Sequence, residues 1–192
     1  MMRLKEEIIR KFRTLQTFFS IFLFFLIFAF FSINTDFNLK DIQISNWGTI
    51  KNVGWIFNYG LKIIAITSFF NIFLFINRHK RIYKKCFLKI LFLIPFLSLF
   101  FVGFFSVDKY ELTHNIYAYI YFFSLPLMIF LFSFLNRNHI IYSEWLMHLI
   151  ISILMVVFPI ILINFFNGKA IPEIIHTCFF IYWSIRILFK FH

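Results

Sequence analysis

The sequence predicts an all-α membrane protein, a bundle of six transmembrane helices with both termini in the cytoplasm. Composition is the first sign: 61% of the 192 residues are hydrophobic and 34 are phenylalanine, whereas soluble domains are only about half apolar. Charged residues make up 14%, and they cluster, leaving long uncharged runs that lipid requires. The third sign is length. Each run is close to the ~20 residues that cross ~30 Å of hydrocarbon, and none alternates apolar and polar residues as a membrane β-barrel would.

The runs are Leu15–Ile33, Trp55–Ile76, Cys86–Val107, Thr113–Leu135, Trp145–Phe166 and Ile171–Phe191. The first has the basic start of a signal peptide, but its apolar core is too long and "FLIFAFFSINTD" offers no small-x-small cleavage motif, so it reads as a retained anchor. The second follows the one sizeable loop, Asn34–Gly54, in which Trp47 and Trp55 suit the headgroup zone and the segment is expected to lie on the membrane. The third, fourth and fifth carry Pro95, Pro126 and Pro159, each expected to remove a backbone hydrogen bond and kink its helix. No repeat and no long linker divides the chain, so residues 1–192 form a single domain.

Lysine and arginine set the orientation. Arg3, Lys5, Arg10, Lys11 and Arg13 fall on one side with Arg78, Lys80, Arg81, Lys84 and Lys85, and with Arg137, Arg186 and Lys190. Only Lys40, Lys51, Lys109 and Lys169 fall on the other, which makes the first side cytoplasmic and the protein a multi-pass component of a prokaryotic cytoplasmic (inner) membrane. The net charge of +11 is explained by this rule and by attraction to anionic headgroups, with no nucleic acid implied. The run "NRHKRIYKKC" is the densest cluster, and its Arg78, Lys80, Arg81, Lys84 and Lys85 double as an anionic-lipid site. Cys86 and Cys178 lie in separate segments and make neither a disulfide framework nor a zinc spacing.

The remaining chemistry collects at the outer ends of the second, fourth and sixth segments. "VGFFSVDKYELTHNIYA" (Val102–Ala118) breaks an apolar run with Asp108, Lys109, Glu111 and His114. Glu173 and His176 are i and i+3 on the sixth helix, and Asn58 and Lys62 are i and i+4 on the second. An intramembrane lysine is expensive and turns to a protein interior or water. Asn58, Lys62, Asp108, His114, Glu173 and His176 therefore form a candidate ligand-binding cluster. His114 is expected to turn inward with Asp108 or Glu173 as partner, and Lys62 to pair with a carboxylate. The plainer alternative is a salt-bridged cluster that closes the bundle's outer end. No complete catalytic set, metal site or cofactor motif is present: His-x-x-x-His and Gly-x-Ser-x-Gly are missing. His148, near the cytoplasmic end of the fifth segment, is read as packed against a neighbouring carbonyl.

Two stretches carry a family resemblance. "ISNWGTIKNVGWIFNYGL" resembles a pattern of Ile-Ser, Gly, Phe-Asn and Gly-Leu, met at Ile44, Ser45, Gly48, Phe57, Asn58, Gly60 and Leu61. "VGFFSVDKYELTHNIYAYIYFF" resembles Val-Gly-x-Phe-Pro-x-Asp, a spacer, then His-x-x-x-Ala, met at Val102, Gly103, Phe105, Asp108, His114 and Ala118 and departing at Ser106, where the pattern has proline. Both resemble the six-helix prokaryotic membrane proteins grouped as domain of unknown function 998, themselves distantly like the Frag/DRAM/Sfk membrane proteins associated with lipid handling. The resemblance implies a fold and no reaction. A membrane protein that interacts with lipid headgroups without catalysis is the leading expectation; a small transporter or channel follows, then a membrane-embedded metal-dependent hydrolase.

Overall fold

The computed structural model describes residues 2–34, 38–78 and 82–190. Its helices are α1 (Met2–Asn34), α2 (Gly54–Arg78), α3 (Lys85–Val102), α4 (Val107–Asn136), α5 (Tyr142–Ile163) and α6 (Ala170–Lys190). A 3-10 helix, Ile44–Thr49, interrupts the connection from α1 to α2, and there is no strand among the described residues. α1 starts well before the first apolar run, and an exposed i,i+4 ion pair, Glu7 to Lys11 at 3.0 Å, adds support there.

Among the described residues, five stretches are long and apolar enough to cross a membrane: Lys11–Asn34, Gly54–Asn77, Lys85–Val102, Val107–Asn136 and Tyr142–Ile163. The sixth expected segment is also helical, but it is not among the five. It carries Glu173, His176 and Arg186 on one chain of 21 residues, and Phe191 lies outside the described residues. The fold is thus an all-α polytopic bundle with five apolar spans.

Each helix packs on its chain neighbour, α1 on α2 through to α5 on α6, and the ring closes through a thin α1–α6 seam. Large apolar side chains such as Phe22, Leu93, Phe123 and Ile160 face outward, as a lipid-facing surface requires. Lipid tails offer no hydrophobic drive for helices to associate, so close packing and polar contacts hold the ring. The main core supplies the packing: Phe92 stacks on Trp183 at 5.9 Å, and Phe132 meets both edge-on. α3, α4 and α5 continue through Pro95, Pro126 and Pro159. A break in helical geometry falls instead at Tyr110 (φ −137°, ψ 47°), one turn into α4.

The connection between α1 and α2 does not simply lie on the membrane. Its 3-10 turn drives Trp47 into the gap between α1 and α2, where the indole is 1% exposed. The ring stacks on Phe31 at 5.3 Å and meets Phe28 and Phe57 edge-on. The slot surrounds the indole with aromatic faces and edges, while its Nε1–H meets no hydrogen-bond partner among the described residues. Trp55 alone keeps the expected exposed position, its Nε1–H on the Asn52 carbonyl at 3.1 Å.

Candidate functional site

The ring holds a partly open cavity of about 130 Å³ along the α1–α6 seam. Apolar cavities of ~150 Å³ stay dry and take a benzene-sized guest, so this volume is enough for part of a hydrocarbon chain. Phe24 and Ile27 of α1, Leu61 and Ile64 of α2, and Phe180 and Ile181 of α6 wall its middle. Glu173 and Ile187 of α6 both line it, and ~1.5 Å of rise per residue sets them about 21 Å apart. One leaflet's hydrocarbon is ~15 Å deep, half the ~30 Å core. The cavity is long and narrow.

Its two ends differ. At the loop end lie Gln43, Ile44, Ser45 and Trp47 with His114, Glu173 and Thr177. At the opposite end lie Arg13, Thr17, Ser68, Asn71 and Ser184. The loop roofs its own end by a strap of alternate residues. Gly168 N–H donates to the Lys40 carbonyl at 2.7 Å, Ala170 N–H to the Ile42 carbonyl at 2.9 Å, and Ile44 N–H to Glu173 Oε2 at 2.9 Å. Gly168 is required here, because a Cβ at that position would run into the Ile42 backbone. Asn167 Nδ2 adds a bond to Asp41 Oδ1 at 3.3 Å.

The six candidate residues do not converge on one point. His114 and Glu173 share the cavity wall. His114 is buried, and its Nδ1 sits 2.6 Å from the Phe105 carbonyl, which puts the ring proton on Nδ1. That carbonyl, not Asp108 or Glu173, is its partner. Asp108 is exposed in the first turn of α4, and Glu173 is engaged by the strap. Asn58 Nδ2 donates to the Gly48 carbonyl at 3.1 Å, pinning the 3-10 turn to α2. Lys62 places its ammonium over the Tyr59 ring at 4.2 Å and the Phe104 ring at 5.4 Å. Aromatic faces stabilise a cation in a dry site, and neither ion pair between described residues, Lys11 with Glu7 or Arg186 with Glu144, involves Lys62. His176 is buried between the Tyr121 and Phe122 rings, with no hydrogen-bond geometry at either ring nitrogen; the Phe122 carbonyl faces it. It lies outside the cavity lining.

Sequence reasoning missed the polar seam at the end opposite the loop. Arg13 Nε donates to Asn71 Oδ1 at 3.3 Å, Asn71 Nδ2 donates to Thr17 Oγ1, and Ser20 and Thr67 share a hydroxyl contact of 2.6 Å. The Arg13 guanidinium also lies over the Phe75 ring at 5.1 Å. The signal was present: Arg13, Thr17 and Ser20 are i, i+4 and i+7, and Thr67 and Asn71 are i and i+4, so each set shares a helix face. Arg13 had been counted only as an orienting charge.

A second polar group sits in the α4–α5–α6 core. Arg186 Nη2 donates to Glu144 Oε1 at 2.9 Å, and Trp183 Nε1–H donates to His148 Nδ1 at 2.9 Å. His148 thus meets an indole and not the expected carbonyl, and it does not line the cavity. Of the basic run, Lys85 donates to the Asn77 carbonyl at 3.2 Å and Lys84 lies over the Tyr83 ring at 5.4 Å. Lys80, Arg81 and the Arg78 side chain lie outside what is described. Cys86 and Cys178 are free and exposed. No group of three or more His, Cys, Asp or Glu able to hold a metal occurs among the described residues.

A helical bundle with five apolar spans among the described residues, set round a partly open cavity, is an integral, multi-pass membrane protein. The family model described as protein of unknown function (DUF998) matches residues 19–189, and the chain belongs to that family, in the prokaryotic inner membrane. No curated protein and no solved structure matches it.

Proposed function

We propose that this protein is a non-catalytic lipid-binding membrane protein that takes a lipid's hydrocarbon chain into the α1–α6 seam. The observation that carries the reading is the long, apolar-walled cavity bounded by a thin helix contact. A site with apolar walls and a few polar groups at its ends is what an amphiphile fits. The outward polar residues take narrower parts in it. His114 and Glu173 finish the loop end of the cavity, Asn58 holds the roof, and Lys62, Asp108 and His176 sit around it.

The same reading makes residues 1–192 one domain with six spans and both termini cytoplasmic. α6 crosses with its polar side chains turned into the bundle, as intramembrane polar residues do, and the Lys/Arg bias sets the direction. Arg78, Lys80, Arg81, Lys84 and Lys85 then face the anionic inner leaflet, where each basic residue contributes about 1 kcal/mol of attraction. With Cys86 and Cys178 replaced by serine, a cysteine at Lys109 is expected to react with an impermeant maleimide from outside, and one at Lys84 only after permeabilisation. The opposite pattern inverts the orientation.

Lipid binding is tested by filling the cavity. Native mass spectrometry should find one tightly held lipid on the detergent-purified wild type, and Ile64→Trp should abolish it with the fold retained by circular dichroism. Equal lipid retention by a folded Ile64→Trp protein would rule the reading out.

A further inference from the structure

Two polar groups at the loop end of the cavity are buried without a bond. Ser45 and Trp47 both line the cavity, at 9% and 1% exposed. Neither Ser45 Oγ nor Trp47 Nε1 meets a hydrogen-bond partner among the described residues. A buried polar group left in this way forfeits its hydration with nothing in return, and folded proteins hold few of them. Here two stand on one 3-10 turn, Ile44–Thr49, beside one cavity. Two acceptors share that end. His114 keeps its ring proton on Nδ1, against the Phe105 carbonyl, which leaves Nε2 a lone pair. Glu173 gives Oε2 to the Ile44 N–H, and its second oxygen belongs to the same end of the wall. At the opposite end Arg13, Asn71 and Thr17 are engaged with one another.

We infer that the loop end of the cavity binds the neutral, hydroxyl-bearing head of an amphiphile, such as a glycerol ester, with the chain running along the α1–α6 seam toward Arg13. This rests on the lipid-binding reading and adds the head's chemistry and its place. A hydroxyl both accepts and donates. It accepts from the Trp47 indole, which is a donor only, and gives its own hydrogen to His114 Nε2 or to the Glu173 carboxylate. A second hydroxyl on the same head serves Ser45. An ammonium head has no lone pair for the indole N–H. An ionised phosphate or carboxylate would lie against the Glu173 carboxylate, with no basic side chain in the lining at that end. Lys169, whose charge reaches Glu173, donates instead to Tyr119 Oη at 3.2 Å and lies outside the lining. The strap roofs this end, so the head enters sideways between α1 and α6, where the ring is thinnest. In the orientation proposed above, it comes from the outer leaflet.

The test uses delipidated full-length protein in neutral detergent, read by native mass spectrometry. Four ligands share one chain and differ in the head: monomyristoylglycerol, methyl myristate, myristate and tetradecylamine. Wild type should bind one monomyristoylglycerol about tenfold more tightly than any of the other three, the worth of one or two hydrogen bonds. Ser45→Ala and Trp47→Phe should each cut that preference severalfold and leave methyl myristate binding unchanged. The melting temperature of ligand-free Ser45→Ala should stay level or rise, because its hydroxyl has no partner to lose; a fall would make Ser45 structural and count against the site. Should Trp47→Phe fail to fold, Ser45→Ala and the wild-type ranking decide alone. Monomyristoylglycerol binding no tighter than methyl myristate would mean that only water meets these groups, and tighter binding of myristate or tetradecylamine would make the head charged. Either result overturns the inference while leaving chain binding intact. Ile64→Trp binding all four ligands like wild type removes the lipid-binding reading itself.

Discussion

The two sides of this bundle bury polar residues in different ways. Between α4, α5 and α6 they are locked to one another inside a packed core. Glu144 meets Arg186, His148 meets Trp183, and Asn136 joins the Tyr83 amide to the Phe132 carbonyl, with Phe132 and Trp183 rings between them. Between α1, α2 and α6, Arg13, Thr17, Ser68 and Asn71 instead border open space. A polar residue in a membrane bundle is costly wherever it is buried. Both sides bond their polar residues to one another, Arg13 to Asn71 and Asn71 to Thr17 on this one, but only here does the polar seam also line a cavity.

The largest effect is expected from Glu144→Ala. It strands the Arg186 guanidinium in a site where the carboxylate is 8% and the arginine 30% exposed. Removing one partner of a buried pair costs about 3–5 kcal/mol, and the partly exposed arginine puts the expected loss near the lower bound. The melting temperature in detergent should fall far more than for Arg13→Gln. Equal falls would mean that the cavity side is as structural as the core.

A middle-sized effect is expected at the strap. Gly168→Val drives a side chain into the Ile42 backbone, and overpacking of this kind costs about 1–3 kcal/mol. The loss should be local. Hydrogen exchange of the Ile44 and Ala170 amides should quicken while α3 and α4 amides keep their protection. Exchange that quickens uniformly would show the roof to be part of the global core and not a separable cover.

Much of this was legible in the sequence, and for a plain reason. Spans are written by hydropathy, and the five apolar runs need no tertiary information to be seen. The sixth reads as an apolar span too; the helix is there, but Glu173, His176 and Arg186 dilute its hydropathy and it is not among the five. Contacts are another matter. Lys62 looked like half of an ion pair because charge is visible in a sequence, while the placing of Tyr59 and Phe104 around it is not. Trp47 looked like an interface residue because tryptophans often are; only the 3-10 turn reveals the slot between Phe31 and Phe57. Arg13 was hidden by a simpler role. One positive charge satisfies the orientation rule whether it points to water or into a cavity, so the rule gives no sign of which it does.

The smallest effect should come from Asp108. It sits beside His114 in the interrupted stretch, yet the two have separate surroundings. His114 is buried on the cavity wall and bound to the Phe105 carbonyl, whereas Asp108 is exposed in the first turn of α4. The Tyr110 break lies between them and separates that turn from the helix proper. An exposed carboxylate at a helix N-terminus contributes about 0.3–1 kcal/mol through the helix dipole, so Asp108→Asn should shift the melting temperature only slightly and leave lipid retention unchanged. His114→Phe is the matched control. It keeps a ring in the wall but removes the donor to the Phe105 carbonyl, and an unmade buried bond costs about 1–3 kcal/mol. A larger loss from Asp108→Asn than from His114→Phe would place the working carboxylate of the loop end outside the cavity, and the division between open and locked sides would have to be redrawn.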